Sequence, residues 1–258
     1  MPAYWSVCRP VYRLFVVLTL PIACGALHAQ QLATVCRASS SYDLTIQPDS
    51  LVFDRAAPAP QRVVLQEGAL RTDGQTVMLN DEDQDRLAVF GRDLRALVPR
   101  VKAVANHGVD LAIQAMHDET LSLNLSADTR AELDRRLADQ AAQLKQRIAA
   151  SHSTHDWDGD MANQYANQVA ADIVPLLAAD LGQQALTAAM SGDLQAAADL
   201  RDRASALATQ LQPRLQQRMQ ALRPQILALC PDIQRLAELQ QGLRGSNGRP
   251  LNLLQVGE

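Results

Sequence analysis

Two imidazoles and three carboxylates fall within nine consecutive residues, His152-Ser153-Thr154-His155-Asp156-Trp157-Asp158-Gly159-Asp160, the one polar cluster in the chain with the ligand types of a divalent metal site. The spacing completes no such site. His152 and His155 stand three apart without a helical His-Glu-x-x-His pattern around them. Asp156-x-Asp158-x-Asp160 begins like a calcium loop, but Met161 stands where that loop turns on glycine, and Asn167 where a bidentate glutamate closes it. The plainer reading is a solvated loop between two helices, its acids capping the second. A metal-binding protein or metal-dependent hydrolase built on His152, His155, Asp156, Asp158 and Asp160 is the alternative. The sequence assigns no catalytic residue, no metal ligand and no cofactor.

Other chemistries find less support. There is no Gly-x-Ser-x-Gly elbow, phosphate-binding loop or dinucleotide fingerprint. His107 and His117 fall singly on a helical segment. Arg130, Glu132, Asp134, Arg135, Arg136 and Asp139 read as a solvated helix face with i,i+4 pairing. The formal charge is −4. An acidic chain argues against a nucleic-acid partner, which requires a basic patch to displace counterions from phosphates.

The elements that would carry these residues change character near residue 80. Before it, short segments alternate apolar and polar residues, at Tyr42, Leu44 and Ile46, Leu51 and Phe53, Val63 and Leu65, then Val77 and Leu79. Asp73-Gly74 accepts the left-handed backbone of a tight hairpin turn. The expected fold class is α+β: a small N-terminal antiparallel β meander of four or five strands over residues 30–80, followed by a predominantly α-helical hairpin or bundle region over 81–242.

Asn80 caps the first helix in this reading, with Asp81, Glu82 and Asp83 in the turn where the helix dipole favours acids. Pro99 suits the first turn of a second helix, about 99–119. Ser126 opens a third, and Pro175 is expected to kink a fourth that carries Val169, Ile173, Leu177 and Leu181. Asp193 caps the last long segment, whose leucines recur in a heptad-like, coiled-coil-like seam. Pro213 and Pro224 interrupt that seam, so kinks or shorter helices must follow. Residues 243–258, with Gly245, Gly248 and Pro250, read as a flexible tail.

The N-terminus reads as a secretory signal over residues 1–29. Arg9 and Arg13 precede the apolar run Leu14–Ala23, and Ala29 offers a small residue for cleavage before Gln30. A lipoprotein acylated at Cys24 is the minor alternative, weakened by Pro21 where such a motif favours leucine. Cleavage removes two arginines and no acid, leaving a formal charge of −6. No transmembrane segment is expected in the mature chain. Of four cysteines, Cys8 and Cys24 leave with the signal, and Cys36 and Cys230 remain as a disulfide in an oxidising compartment. Closing a loop of that length stabilises by at most about 5 kcal/mol in the chain-entropy treatment.

Cys36, the strand Tyr42-Asp43-Leu44-Thr45-Ile46, Leu70, Asp73-Gly74, Val77, Leu79-Asn80, the segment Asp93-Leu94-Arg95-Ala96-Leu97-Val98-Pro99 and Cys230 together resemble the YggN-like family of proteobacterial periplasmic proteins, a domain of unknown function. The resemblance implies a periplasmic location in the bacterial envelope and a β-then-α layout, and brings no catalytic or binding residue. With no reactive constellation but several long apolar stripes, the expected role is non-catalytic binding of an envelope protein partner through helical faces.

Overall fold

In the computed structural model the described residues are 35–257 apart from 122 and 158, and the side chains of 159–163, 165, 166, 204, 206–212, 214 and 215 are likewise outside the description. The expected signal, the Ala29–Gln30 cleavage site and Cys24 therefore lie outside it.

The β region forms as its alternation predicts. Strands β2 (Asp43–Ile46), β3 (Leu51–Asp54), β4 (Arg62–Gln66), β5 (Ala69–Thr72) and β6 (Gln75–Val77) pair in sequence order as an antiparallel meander. Two of its turns place consecutive residues in the left-handed region, Glu67-Gly68 (φ 47° and 83°) and Asp73-Gly74 (φ 49° and 82°). The register aligns Ile46, Leu51, Leu65, Leu70 and Val77 in one row across the sheet. A parallel row joins Phe53, Val63 and Thr72. Because side chains alternate faces along a strand, both rows point the same way, and most of their members are buried.

The first helix packs on that face. Helix α1 (Asp81–Leu121) is 41 residues long, about 60 Å at 1.5 Å per residue. Asn80 Oδ1 accepts from the Asp83 amide at 2.7 Å, the cap the sequence predicts. The expected break at Pro99 is absent: Pro99 lies inside one continuous helix. A proline there removes one backbone hydrogen bond. Packing and polar ties on both sides of it offset that loss. Leu97 is buried in the core, Arg100 pairs with Asp232, and Lys102 Nζ donates to the carbonyls of Ala149 and Ser151.

Helices α2 (Ala127–Ala150), α3 (Gly159–Met190) and α4 (Leu194–Met219) follow. Each packs on its sequence neighbour, and α4 returns to α1, closing a four-helix arrangement. Ser126 and Asp193 cap α2 and α4, their side chains accepting from Thr129 and Ala196. Pro175 and Pro213 fall inside helices that continue through them. Pro224 behaves differently. It sits in the first turn of the short helix α5 (Arg223–Leu227), after a 3-10 turn at Gln220–Leu222, and α6 (Cys230–Leu239) starts three residues beyond α5.

The segment 243–258 is expected to fray, but its described residues, 243–257, do not. Leu243, Leu251 and Leu253 are buried in the main core, and β7 (Gln255–Val256) pairs with β1 (Ala38–Ser39). The Thr72 hydroxyl donates to Ser246 Oγ and accepts the Ser246 amide, both at 2.9 Å. Ser40 Oγ donates to the Leu253 carbonyl at 2.7 Å. The glycines and proline that suggested disorder instead shape a folded return, with Leu251 N donating to Leu243 O.

Two apolar cores result. The larger joins the sheet, the first half of α1, α5, α6 and the C-terminal segment, with Phe53 and Phe90 rings 6.3 Å apart at its centre. Cys36 and Cys230 are disulfide-bonded inside it, Cα atoms 5.2 Å apart. The smaller core lies among the helices: Leu123, Leu125, Leu133, Leu137 and Ile173.

Candidate interaction surface

The first half of the His/Asp cluster, residues 152–156, is placed against the sheet. The His152 carbonyl accepts from the Ile46 amide at 2.8 Å. Ser153 bridges to Thr45, and Thr45 Oγ1 donates to Ser153 Oγ. Thr154 Oγ1 accepts from the Leu44 amide at 2.9 Å and donates to Asp43 Oδ1. The segment thus covers the outer edge of β2, an edge that would otherwise present unpaired backbone groups to another strand. Asp156 Oδ2 accepts from the amides of His152 and Ser153, each at 3.0 Å. That carboxylate closes its own loop backward rather than capping the next helix. Among the described residues no three His, Cys, Asp or Glu side chains are grouped to hold a metal. Asp158 and the Asp160 side chain lie outside them.

Helix α3 has a different character on its two sides. Its inner side carries the predicted stripe, with Ile173 buried and Val169, Leu177 and Leu181 packed around it. Two aspartates tie the same side to α2. Asp172 accepts from Gln140 Nε2 at 3.0 Å, and its backbone carbonyl accepts from Arg136 Nη1 at 2.7 Å. Asp180 accepts from the Ser126 amide, Thr129 Oγ1 and Gln184 Nε2. Partial burial opposes the Asp180 charge, but the hydrogen bonds from Ser126, Thr129 and Gln184 together outweigh it and hold the carboxyl below its usual range. Nearby on α2, hydrogen bonds from Arg135 and Arg136 lower Glu132 to about 2.

Among the described side chains, the outer side of α3 carries no charge from Val174 to Leu186; Asp172, on the azimuth of Met190, marks its edge and is bonded to α2. Ala171, Val174, Ala178, Gly182, Leu186 and Met190 are all exposed there. At 100° per residue they share one broad arc, about 30 Å long. Val174 is 58% exposed, Leu186 55% and Met190 81%, and Leu194 at the start of α4 is 72% exposed. An exposed helix face is ordinarily charged or polar, and a contiguous exposed apolar surface marks an interaction site. The sequence reading identified the inner stripe and missed this one. The signal was present: between residues 161 and 192 the only charged side chains are Asp172 and Asp180, which leaves the outward positions from Val174 to Leu186 without any.

Within this helix Asn167–Met190 has the length and apolarity of a membrane span; an 18-residue window of it has mean hydropathy 1.2 and is only 6% buried. The two aspartates within it are bonded to α2, and no clear transmembrane segment emerges among the described residues.

A sequence-family model described as "Protein of unknown function (DUF2884)" matches residues 36–253, from the disulfide cysteine Cys36 to the buried Leu253. The chain belongs to this family. The matched span takes in the meander, all six helices and most of the C-terminal return. No curated protein and no solved structure matches the chain.

Proposed function

We propose that this protein is an exported, periplasmic, YggN-like member of its family that binds another envelope component on the outward face of α3 and performs no catalysis. The observation that carries the reading is the uncharged arc from Val174 to Leu186, exposed on a helix whose opposite side is firmly bonded to its own fold. The buried Cys36–Cys230 disulfide is compatible with an oxidising compartment. The signal-like first 29 residues support export, with cleavage after Ala29 and Gln30 as the first mature residue.

Two measurements test the reading. Intact mass from the periplasmic fraction is expected to begin at Gln30; an unprocessed Met1 overturns export, and a diacylated Cys24 replaces the soluble form by a lipoprotein. For docking, a photo-crosslinking residue is placed at Leu186 and, as a control, at the exposed Asp49 between β2 and β3. Discrete adducts from position 186 that are lacking at position 49 are expected in the living envelope. Identical patterns from the two positions, or none from either, remove the reading.

A further inference from the structure

The α3 face carries information about the chemistry of its occupant, and this inference rests on the docking reading above. From Ile148 to Leu200 the chain has no lysine or arginine and seven aspartates. Asp172 and Asp180 face α2, whereas Asp156 at one end of α3 and Asp193 and Asp199 at the other are exposed. Exposed aspartates therefore lie beyond both ends of the apolar strip, and the first basic residues past it are Arg201 and Arg203 on α4. Gly182 lies near the middle of the arc, and among the described residues a Cβ built there meets nothing within 4 Å. Glycine inside a helix is destabilising by roughly 0.5–1 kcal/mol relative to alanine, and no contact among the described residues requires it. With Ala178 one turn before, it permits close approach by a backbone from outside.

We infer that the face of α3 accepts a cationic amphipathic helix of about 20 residues, its apolar stripe along Val174–Met190 and its basic residues toward Asp156 and the Asp193–Asp199 end. A second copy of this chain would bring the same base-free, aspartate-bearing segment against itself and repel. An anionic membrane surface would repel likewise, since surface-binding helices carry lysine and arginine beside the apolar face. A basic helix complements both features at once.

The test uses the full mature chain and three 20-residue probes: a Leu/Lys amphipathic peptide, its Leu/Glu counterpart, and a Lys-containing peptide of the same composition with the amphipathic order scrambled. Binding is followed by calorimetry. The Leu/Lys helix is expected to bind one-to-one and to weaken as salt is raised through the range where the Debye length shrinks below about 8 Å. The Leu186→Gln/Met190→Gln double variant, altered only at exposed positions, is expected to weaken it about tenfold. A Gly182→Leu variant, which fills the close-approach point, should do the same. Retention of the circular dichroism spectrum shows that these variants remain folded. Several outcomes overturn the inference: equal binding of the Leu/Glu or scrambled peptide, undiminished binding by the variants, a salt-stable dimer abolished by the double variant, or preferential capture by neutral phosphatidylcholine vesicles. If crosslinks from position 186 persist while the Leu/Lys peptide fails, docking stands and the cationic-helix inference falls.

Discussion

The head of the molecule and its helical arm solve the same problem, ordering a long chain, by different means. In the head, the sheet, the first half of α1, α5, α6 and the C-terminal return bury large side chains around Phe53 and Phe90, and the disulfide closes the ends. In the arm, α2 and α3 share the smaller core, supplemented by charged and polar ties such as Arg136–Asp172 and the three donors on Asp180. Burial depends little on pH, whereas ties to carboxylates depend on it strongly. An apolar face can stay exposed on α3 because the fold there does not rely on covering it.

The largest expected effect breaks the head. Phe90, 2% exposed, fills the space between the sheet and α1, and Phe90→Ala is expected to destabilise by about 3–5 kcal/mol. Chemical denaturation measures it; a loss under about 1 kcal/mol would mean the sheet and α1 are not one packed unit. Next comes the disulfide. Replacing Cys36 and Cys230 together by Ala should cost about 2–5 kcal/mol and leave the far-ultraviolet helical signal in place. Disappearance of the helices would show that the arm has no order of its own.

A smaller effect separates the regions by pH. Glu132 and Asp180 have depressed folded-state pKa values, Glu132 at about 2. Groups lowered on folding contribute stability that is present above their unfolded values, near 4, and is lost as pH falls through the folded values. Hydrogen exchange from pH 5 to 2 is expected to lose protection in α2 and α3 before the β meander. Asp180→Asn should reduce the arm's acid sensitivity and cost about 1 kcal/mol at pH 7, where two of its bonds come from α2 and the residue before it. Simultaneous loss of protection in both regions would dissolve the distinction. The smallest effect concerns the outward face: Leu186→Gln/Met190→Gln is expected to change stability by less than about 0.5 kcal/mol per residue. Differential scanning calorimetry checks this, and a large fall in melting temperature would mean the face is covered.

How far the sequence reaches depends on the range of each interaction. Asp73-Gly74, Asn80, Ser126 and Asp193 were all legible, because a left-handed turn or a cap is decided by atoms a few residues apart. The strand alternation was legible because a pleat repeats every two residues. Cys36 and Cys230 could be paired by elimination. The site was legible only in part: the His/Asp cluster looked like ligands, and nothing local revealed that β2, over 100 residues earlier, would take up its carbonyl and hydroxyls.

By itself the sequence determined the caps at Asn80, Ser126 and Asp193, the alternation of the strands, the inward stripe of α3, and that α3 holds no base. Only the tertiary structure decided that α1 runs through Pro99, since the hydrogen bond lost there is offset by partners at Ala149, Ser151 and Asp232. It likewise decided that residues 243–257 are ordered, because Leu251 and Leu253 find a core and Ser246 finds Thr72. The exposure of Val174, Leu186 and Met190 belongs to the same class. Hydrophobicity states what a side chain gains by leaving water; whether another surface is there to receive it depends on the positions of all the other elements.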